Sequence, residues 1–298
     1  MSYRMNRYLS SSLSCLSILL AAMLLTGCVT PIPLAQEAPD DEESSLAMKS
    51  QNPVADLISF PLQSNTFFNI GENDRTAWVM NIQPVIPVHA GPVNIITRTI
   101  FPLRYGPDVF EPSGGTFGTG DTTFTAFVTP AKPGKLIFGA GPVALFPTAS
   151  DKALGTEKWG LGPSAVVLTM RGPWVMGVLV SQLWSVGGAD ERNDISGFLT
   201  QYFINYNLPH GWFITSAPII TANWKRPDGN KWVVPFGGGF GKIFRIGSQP
   251  VNGSFQAFWN SVHPEVAGIR PPVEGLPPGD SSSATWTLRF QLQLLFPR

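Results

Sequence analysis

Residues 285–296 read Thr-Trp-Thr-Leu-Arg-Phe-Gln-Leu-Gln-Leu-Leu-Phe. Apolar side chains stand at every second position from Trp286 to Phe296, and polar side chains stand between them from Thr287 to Gln293. This period of two indicates a β-strand with one apolar face and one polar face. Aromatic residues stand at both ends of the apolar face, as in strands that cross an outer membrane. The stretch therefore predicts a transmembrane strand, and the alternative is a strand of a soluble sheet whose apolar face covers a core.

The composition of the chain favours a turn-rich β protein. The 298 residues include 30 Gly and 28 Pro, and only 13% of them are charged. Gly and Pro supply the turns of β proteins, and the charged fraction is about half that of an average soluble domain. Lys+Arg and Asp+Glu balance at 20 each, so the chain lacks the basic excess of a nucleic-acid-binding protein, and we expect no nucleic-acid partner.

The beginning of the chain has the features of an export signal. Arg4 and Arg7 precede an apolar run over residues 9–25, which ends in Leu25-Thr26-Gly27-Cys28 and resembles a bacterial lipobox. We expect residues 1–27 to be a lipoprotein-type signal peptide and Cys28 to carry lipid. No thiol then remains for a disulfide, a metal or a nucleophile. An ordinary signal peptide that is cut elsewhere is the alternative.

Residues 28–53 are rich in Pro, Ala, Asp, Glu and Ser. Such a segment buries too little apolar area to offset the entropy lost on ordering, so we predict a disordered periplasmic tether. Beyond it, no apolar run approaches the roughly 18 residues of a membrane-spanning helix. If the mature protein spans a membrane, it spans it with strands.

Candidate strands follow one another through residues 54–298. They cover residues 57–68, 75–87, 93–103, 119–128, 136–146, 160–170, 174–186, 195–207, 212–223, 232–243, 251–259 and 285–296. Short Pro/Gly turns alternate with longer, more charged connections, which is typical of outer-membrane barrels. We therefore predict an all-β fold: a single antiparallel transmembrane β-barrel of about twelve strands, with short periplasmic turns and longer external loops. The predicted location is the Gram-negative outer membrane with a periplasmic N-terminus, and a lipid-anchored periplasmic β-sandwich is the alternative.

The polar faces of these strands contain the candidate functional residues. We expect ten residues to line the lumen: Asn81, Gln83, Arg98, Asp121, Gln201, Asn205, Gln256, Arg289, Gln291 and Gln293. Amides with both signs of charge favour a wetted lumen of weak charge selectivity, although side chains can also fill a barrel of this size. Two Gly-x-Gly-Pro repeats, at residues 139–142 and 160–163, are expected to leave room in the lumen through Gly141 and Gly162.

The sequence contains no arrangement of residues typical of a catalytic or metal site. His89, His210 and His263 lie far apart without metal-ligand spacing, and the nucleophile pattern Gly-x-Ser-x-Gly does not occur. We therefore expect no catalytic residues, no metal and no cofactor, and we predict that the chain is not an enzyme.

Several segments together resemble a known family, the outer-membrane proteins labelled as members of a phenol-degradation (meta-cleavage) pathway and often carried under the labels neuromedin U or "transporter". The matching segments are residues 52–55, 81–87, 118–121, 139–142, 147–149, 158–163, 218–224, 237–242 and 289–297. They occur in order through nearly all of the chain after residue 52. The resemblance implies a β-barrel and a role in moving small, aromatic compounds, and it brings no catalytic residues. A lipobox departs from the plain signal expected of most members.

These features predict a porin-like channel that passes small, weakly charged or aromatic solutes across the outer membrane. Its expected partners are outer-membrane lipid, the solutes and the barrel-assembly machinery. The alternative is a non-transporting barrel, structural or interactive, whose outer loops contact a partner.

Overall fold

A computed structural model of the 298-residue chain describes residues 40–109, 111–264 and 283–297. The predicted signal peptide over residues 1–27, the lipid on Cys28 and the tether up to residue 39 lie outside the described residues. No helix in the described ranges is long and apolar enough to cross a membrane.

The described residues form one helix and fifteen strands. Helix α1 covers Asp40–Ser50, and the strands are β1 (Ile58–Ile70), β2 (Arg75–Ile82), β3 (Val85–Ala90), β4 (Val93–Pro107), β5 (Gly115–Thr119), β6 (Thr122–Pro130), β7 (Leu136–Phe146), β8 (Lys158–Arg171), β9 (Trp174–Gly188), β10 (Ser196–Asn207), β11 (Trp212–Ser216), β12 (Ile219–Asn223), β13 (Trp232–Ile246), β14 (Gln249–Val262) and β15 (Trp286–Phe296).

In three places, two short strands in succession form a single barrel strand. β2 and β3 both pair with β1 and β4. β11 and β12 both pair with β10 and β13, and β5 and β6 both pair with β4. This leaves twelve strands, each antiparallel to its neighbours. β15 pairs with β1 and β9 pairs with β10, so the sheet closes on itself. The predicted all-β barrel of about twelve strands is confirmed.

The connections at the two ends of the barrel differ in length. Short connections lie at one end, the turn end, at residues 91–92, 131–135, 172–173, 208–211 and 247–248. Those at the other end, the loop end, are residues 71–74, 108–114, 147–157, 189–195, 224–231 and 263–285. The predicted contrast between short turns and longer loops is confirmed, with residues 71–74 as the one short connection at the loop end.

The outer surface of the barrel is apolar and carries aromatic residues near both ends. In β15, Trp286 is 47% exposed and Phe296 is 41% exposed, whereas the intervening Arg289 is buried. Exposed tryptophans lie near the turn end at Trp174 and Trp212 and near the loop end at Trp159, Trp184, Trp224, Trp232, Trp259 and Trp286. Two such bands are typical of the aromatic girdles of a membrane-spanning barrel. An apolar outer surface of this kind would be unfavourable in water.

Helix α1 packs inside the barrel at the turn end, within a segment that the sequence predicts to be disordered. Leu46 and Ala47 are buried with Leu57 and with the inward-facing Ile243 and Leu295. The predicted tether over residues 28–53 therefore differs from the structure over its described part. Leu57, Ile243 and Leu295 cover a short apolar face of the helix. Composition alone does not reveal this cover, because Ile243 and Leu295 come from distant strands.

Gly141 and Gly162 accommodate neighbouring backbone rather than open space in the lumen. A Cβ on Gly141 would lie 1.8 Å from the carbonyl oxygen of Ala126, and one on Gly162 would lie 1.7 Å from that of Gln182. Any side chain would thus clash with the next strand, so the expectation that these glycines leave room in the lumen is wrong.

Candidate functional site in the barrel lumen

Three adjoining cavities occupy the lumen. The first, of about 170 Å³, lies toward the turn end and is lined partly by residues 49–53. The second, of about 300 Å³, and the third, of about 480 Å³, reach toward the loop end. Arg289 lines the first and second cavities, and Arg98 lines the first and third. The two arginines therefore stand where the cavities adjoin.

Nine of the ten predicted lumen residues line these cavities. Eight line the first cavity: Gln83, Arg98, Gln201, Asn205, Gln256, Arg289, Gln291 and Gln293. Asn81 lines the second cavity. Alternation along the strands identifies these positions, because every second side chain of a barrel strand faces inward.

Asp121 does not join the other predicted lumen residues. Its carboxylate accepts hydrogen bonds from the backbone N–H groups of Ala149 (3.2 Å) and Thr156 (2.6 Å) and from the Thr156 hydroxyl (2.7 Å), all in the loop after β7. Between β5 and β6 the register against β4 shifts by one residue, which places Asp121 in a β-bulge. Asp121 therefore does not line the lumen cavities as predicted. The prediction relied on strict alternation along the strand, and a bulge breaks that alternation.

Arg98 faces the lumen from β4 and reaches the point where β2 gives way to β3. Its Nη2 donates to Oε1 of Gln83 at 2.6 Å. Pro84 follows Gln83 and has no N–H for the strand ladder, so the pairing is interrupted between Ile82 and Val85. The proline break and the arginine thus lie together on the inner wall.

Arg289 faces the lumen from β15 and reaches the second proline break. Its Nε donates to Oδ1 of Asn65 at 3.0 Å, and its Nη1 donates to the carbonyl oxygen of Ala217 at 2.8 Å. Its guanidinium also lies 4.9 Å from the ring centre of Phe258. Ala217 precedes Pro218, which has no N–H to offer the ladder.

Side chains of the lumen hold the peptide groups of Ala217. Gln201 Nε2 donates to its carbonyl oxygen at 3.3 Å, and its N–H donates to Oε1 of Gln256 at 3.1 Å. Groups that a regular ladder would satisfy are here bonded across the lumen, as buried peptide groups require. Gln201, Gln256 and Arg289 therefore meet at one inward point of the wall.

Amides line the rest of the first cavity toward α1. Asn252 Nδ2 donates to the Ser50 hydroxyl at 3.0 Å and to Oε1 of Gln293 at 3.4 Å. Gln51 and Asn207 exchange two amide hydrogen bonds of 2.9 and 3.2 Å. The helix and the residues after it are thereby bonded to the inner wall.

The first cavity carries uncompensated positive charge. Lys49, Arg98 and Arg289 line the first cavity, and none of the described residues lining it is acidic. Within the described ranges, no carboxylate lies within ion-pair distance of Arg98 or Arg289. Arg98 and Arg289 thus place two positive charges on the wall of one cavity. The expected mixture of both signs is therefore absent from the described first cavity, because its one carboxylate candidate, Asp121, lies in the bulge.

Charges at the loop end are paired. Lys158 and Asp194 lie 3.5 Å apart, and Arg192 and Glu157 lie 3.4 Å apart. The Ser185 hydroxyl, which donates to Asp194 at 3.0 Å, and then the charge of Lys158 hold the pKa of that carboxyl below its ordinary value.

No metal-type cluster occurs where the chain is described: no three His, Cys, Asp or Glu side chains gather in residues 40–109, 111–264 and 283–297. His89 lies in β3 rather than in a turn, and its Nε2 is 2.8 Å from Oδ2 of Asp56.

The comparisons with known proteins concern the fold. No family model matches the chain, and no curated protein matches it in sequence. The COG4313 outer membrane channel from Pseudomonas putida F1 is similar in structure, with a TM-score of 0.54, 16% identity, and coverage of 80% of this chain and 94% of that one. Outer membrane phospholipase A from Escherichia coli matches with a TM-score of 0.42, 12% identity, and coverage of 86% of this chain and 98% of that one. The Pseudomonas putida toluene transporter TodX matches with a TM-score of 0.32, 9% identity, and coverage of 84% of this chain and 92% of that one.

The prediction that the chain is not an enzyme is corrected. A barrel named as a phospholipase matches most of this chain. The barrel fold and the missing Gly-x-Ser-x-Gly pattern are therefore not grounds to exclude catalysis, since a barrel enzyme places its groups on neighbouring strands rather than in one motif. At TM-scores below 0.5, the phospholipase and TodX matches carry no argument about the activity of this chain.

The closed twelve-stranded sheet, its apolar outer face and its structural likeness to the Pseudomonas putida F1 channel lead to one identification: the chain has the fold of the Gram-negative outer-membrane β-barrels.

Proposed function

We propose that the protein is an outer-membrane channel for small, weakly charged or aromatic solutes. The observation that carries the proposal is the run of three adjoining cavities through the lumen, the first of them lined largely by amides and cationic groups. A barrel whose only role is structural has no need of such spaces, because side chains can fill the interior of a small barrel.

The structural neighbour from Pseudomonas putida F1 is named a channel, and we extend that role to this chain. At 16% identity the likeness supports the fold alone, so the proposal depends on the lumen of this protein. Its cavities of about 170 to 480 Å³ are suited to small solutes rather than to peptides or folded cargo.

Helix α1 favours a second candidate, a barrel that does not transport. Leu46 and Ala47 bury the helix against the inner wall at the turn end, where it reduces the free cross-section. Passage would then require displacement of the helix, whereas a permanently seated helix would leave a structural or interactive barrel. The experiment below separates the two.

We further propose the orientation that the sequence indicates. The turn end, with the N-terminus, faces the periplasm, lipid on Cys28 anchors the chain in outer-membrane lipid, and the assembly machinery inserts it. The lipobox-like residues 25–28 support this proposal. Mass spectrometry of the mature N-terminus is expected to find a lipid-modified Cys28, and an unmodified peptide beginning elsewhere would refute the anchor.

Planar-bilayer recording tests passage directly. Purified, folded protein is expected to give discrete conductance steps in KCl and to let a small neutral sugar swell protein-loaded liposomes. Heat-unfolded protein from the same preparation is the control. Absence of both signals from protein that migrates as a folded barrel would reject the channel and leave the non-transporting barrel.

A further inference from the structure

We propose that Arg98, Arg289 and Gln83 bind the carboxylate of a small organic monoanion whose apolar body occupies the third cavity. This inference rests on the proposed function, because it names the class of solute for the same lumen. Three observations support it: the hydrogen-bond donors at the arginines, the charge around them and the apolar wall beside Arg98.

The first observation is an excess of donors. A guanidinium carries five N–H groups and accepts nothing. Arg98 uses its N–H groups in one hydrogen bond within the described residues, and Arg289 uses two. Gln83 is 3% exposed, and its Nε2 has no hydrogen-bond partner among the described residues. Buried donors of this kind require an acceptor, and a carboxylate offers two oxygens that match a guanidinium.

The second observation is electrostatic. Two guanidiniums line the same cavity, and no carboxylate of the described residues lies within ion-pair distance of either. Holding like charges in a confined site costs free energy, which an anion between them would offset. A cationic solute would add to the repulsion, and a neutral solute would leave it unchanged. The site therefore selects for negative charge.

The third observation concerns the body of the ligand. The third cavity adjoins Arg98, and the apolar side chains Ile100, Phe127, Val143, Leu179 and Leu199 line part of it. Charged side chains, including Arg192 and Asp194, line it toward the loop end. Its volume of about 480 Å³ lies within the usual range of small-molecule sites. A ligand with a charged group at one end and an apolar body would place the two parts on matching surfaces. Acetate and inorganic phosphate lack that body and should bind less tightly.

Ligand-dependent thermal unfolding of the detergent-solubilised protein tests binding independently of transport. The probes are hexanoate, the neutral hexanamide, hexylammonium, acetate and inorganic phosphate. A ligand that binds only the folded state stabilises it by RT ln(1 + [L]/Kd), so the unfolding temperature rises with the logarithm of the ligand concentration above Kd. Hexanoate should raise the unfolding temperature in this way. Equal stabilisation by hexanamide would overturn the role of charge, and equal stabilisation by acetate or phosphate would overturn the apolar body.

Arg98→Gln is the decisive variant, because Arg98 makes one side-chain hydrogen bond among the described residues, and its loss should leave the fold intact. Loss of a charge-assisted contact should raise the Kd for hexanoate, obtained from this concentration dependence, about tenfold or more. Lys132→Gln removes one positive charge from an exposed turn and should leave hexanoate binding unchanged. Heat-modifiable gel migration verifies the folded state of both variants. Unchanged binding in folded Arg98→Gln would overturn the proposal.

The failure of this site and the failure of the channel give different results. Hexanoate binding without conductance would retain the site and reject the channel. Conductance without hexanoate binding would retain the channel and reject the site.

Discussion

The first lumen cavity and the loop end of this barrel differ in whether charged side chains lie beside groups of opposite charge. At the loop end, basic groups lie beside acidic ones, as Lys158 does beside Asp194 and Lys231 beside Asp228. In the first lumen cavity, Arg98 and Arg289 lie among amides, and no carboxylate of the described residues lies within ion-pair distance of either. Exposed pairs at a loop contribute little to stability, whereas uncompensated charge in a confined lumen exerts a strong field on anything that enters.

This difference indicates which region is built for a ligand. The loop-end charges satisfy one another and fix loops. The lumen donors are positioned by two proline breaks, at Gln83-Pro84 and Ala217-Pro218, and they are left with hydrogen bonds to give. Paired and unpaired charges therefore predict different responses to substitution.

The largest expected effect follows from adding a carboxylate to the lumen. Gln83→Glu places an acid where Oε1 of Gln83 now accepts from Arg98 at 2.6 Å. The built-in ion pair should abolish the preference for anions and weaken hexanoate binding by tenfold or more, on the order of one lost charge-assisted contact. Gln83→Met, which removes the amide without adding charge, should cost only a few-fold. Equal effects of the two variants, measured by thermal shift, would argue against charge as the cause.

The next effect concerns helix α1. Ala47 is 1% exposed among Leu57, Ile243 and Leu295. Ala47→Asp would bury an unpaired carboxylate there, which is costly enough, at several kcal/mol, to release the helix. Larger single-channel conductance with an unchanged barrel is expected in bilayer recordings. Ser44→Asp, on a half-buried position of the same helix, should not enlarge it. Wild-type conductance in Ala47→Asp would show that the helix does not restrict passage.

At the loop end, the structural role of Asp121 predicts a loss of stability without a change in selectivity. Asp121→Asn replaces an acceptor of three hydrogen bonds and should loosen residues 147–157 by about 1–3 kcal/mol. Trypsin should then cleave faster after the exposed Lys152. Asp190→Asn in the neighbouring exposed loop serves as the control. If ion selectivity changed instead, Asp121 would belong to the conduction path.

The smallest effect is a change in titration. The hydrogen bond from Ser185 and the charge of Lys158 lower the pKa of Asp194. A lowered folded-state pKa means that this stabilisation is present above the ordinary aspartate pKa and is lost as pH falls through the lowered value. Ser185→Ala should therefore move the pKa of Asp194 upward. Carboxyl NMR can follow it, with Asp228, whose pKa is lowered chiefly by its hydrogen bond from Lys231, as an internal reference that should not move.

The alternation of apolar and polar residues predicted the barrel and most of the lumen. Its period is read directly from residues such as Arg289 and Gln291, because the side chains of a strand alternate strictly. It failed at Asp121, where one inserted residue shifts the register and no local pattern announces a bulge.

The sequence could not predict the packing of helix α1 or the shared cavity of the two arginines, because both depend on contacts between distant parts of the chain. The cover for Leu46 and Ala47 comes from Leu57 nearby and from Ile243 and Leu295, nearly 200 residues or more away. Arg98 lies on β4 and Arg289 on β15, and the two line one cavity only when the barrel closes through β15 and β1. Such long-range contacts depend on the fold and have no local signature.

The measurement that tests the central claim most directly is the reversal potential of the folded wild-type protein in a planar bilayer under a KCl gradient. An outer-membrane channel with an uncompensated basic lumen should conduct, and its reversal potential should have the sign expected for chloride, because fixed positive charge in a narrow path favours anions. No conductance, or a reversal potential with the sign for potassium, would contradict the account.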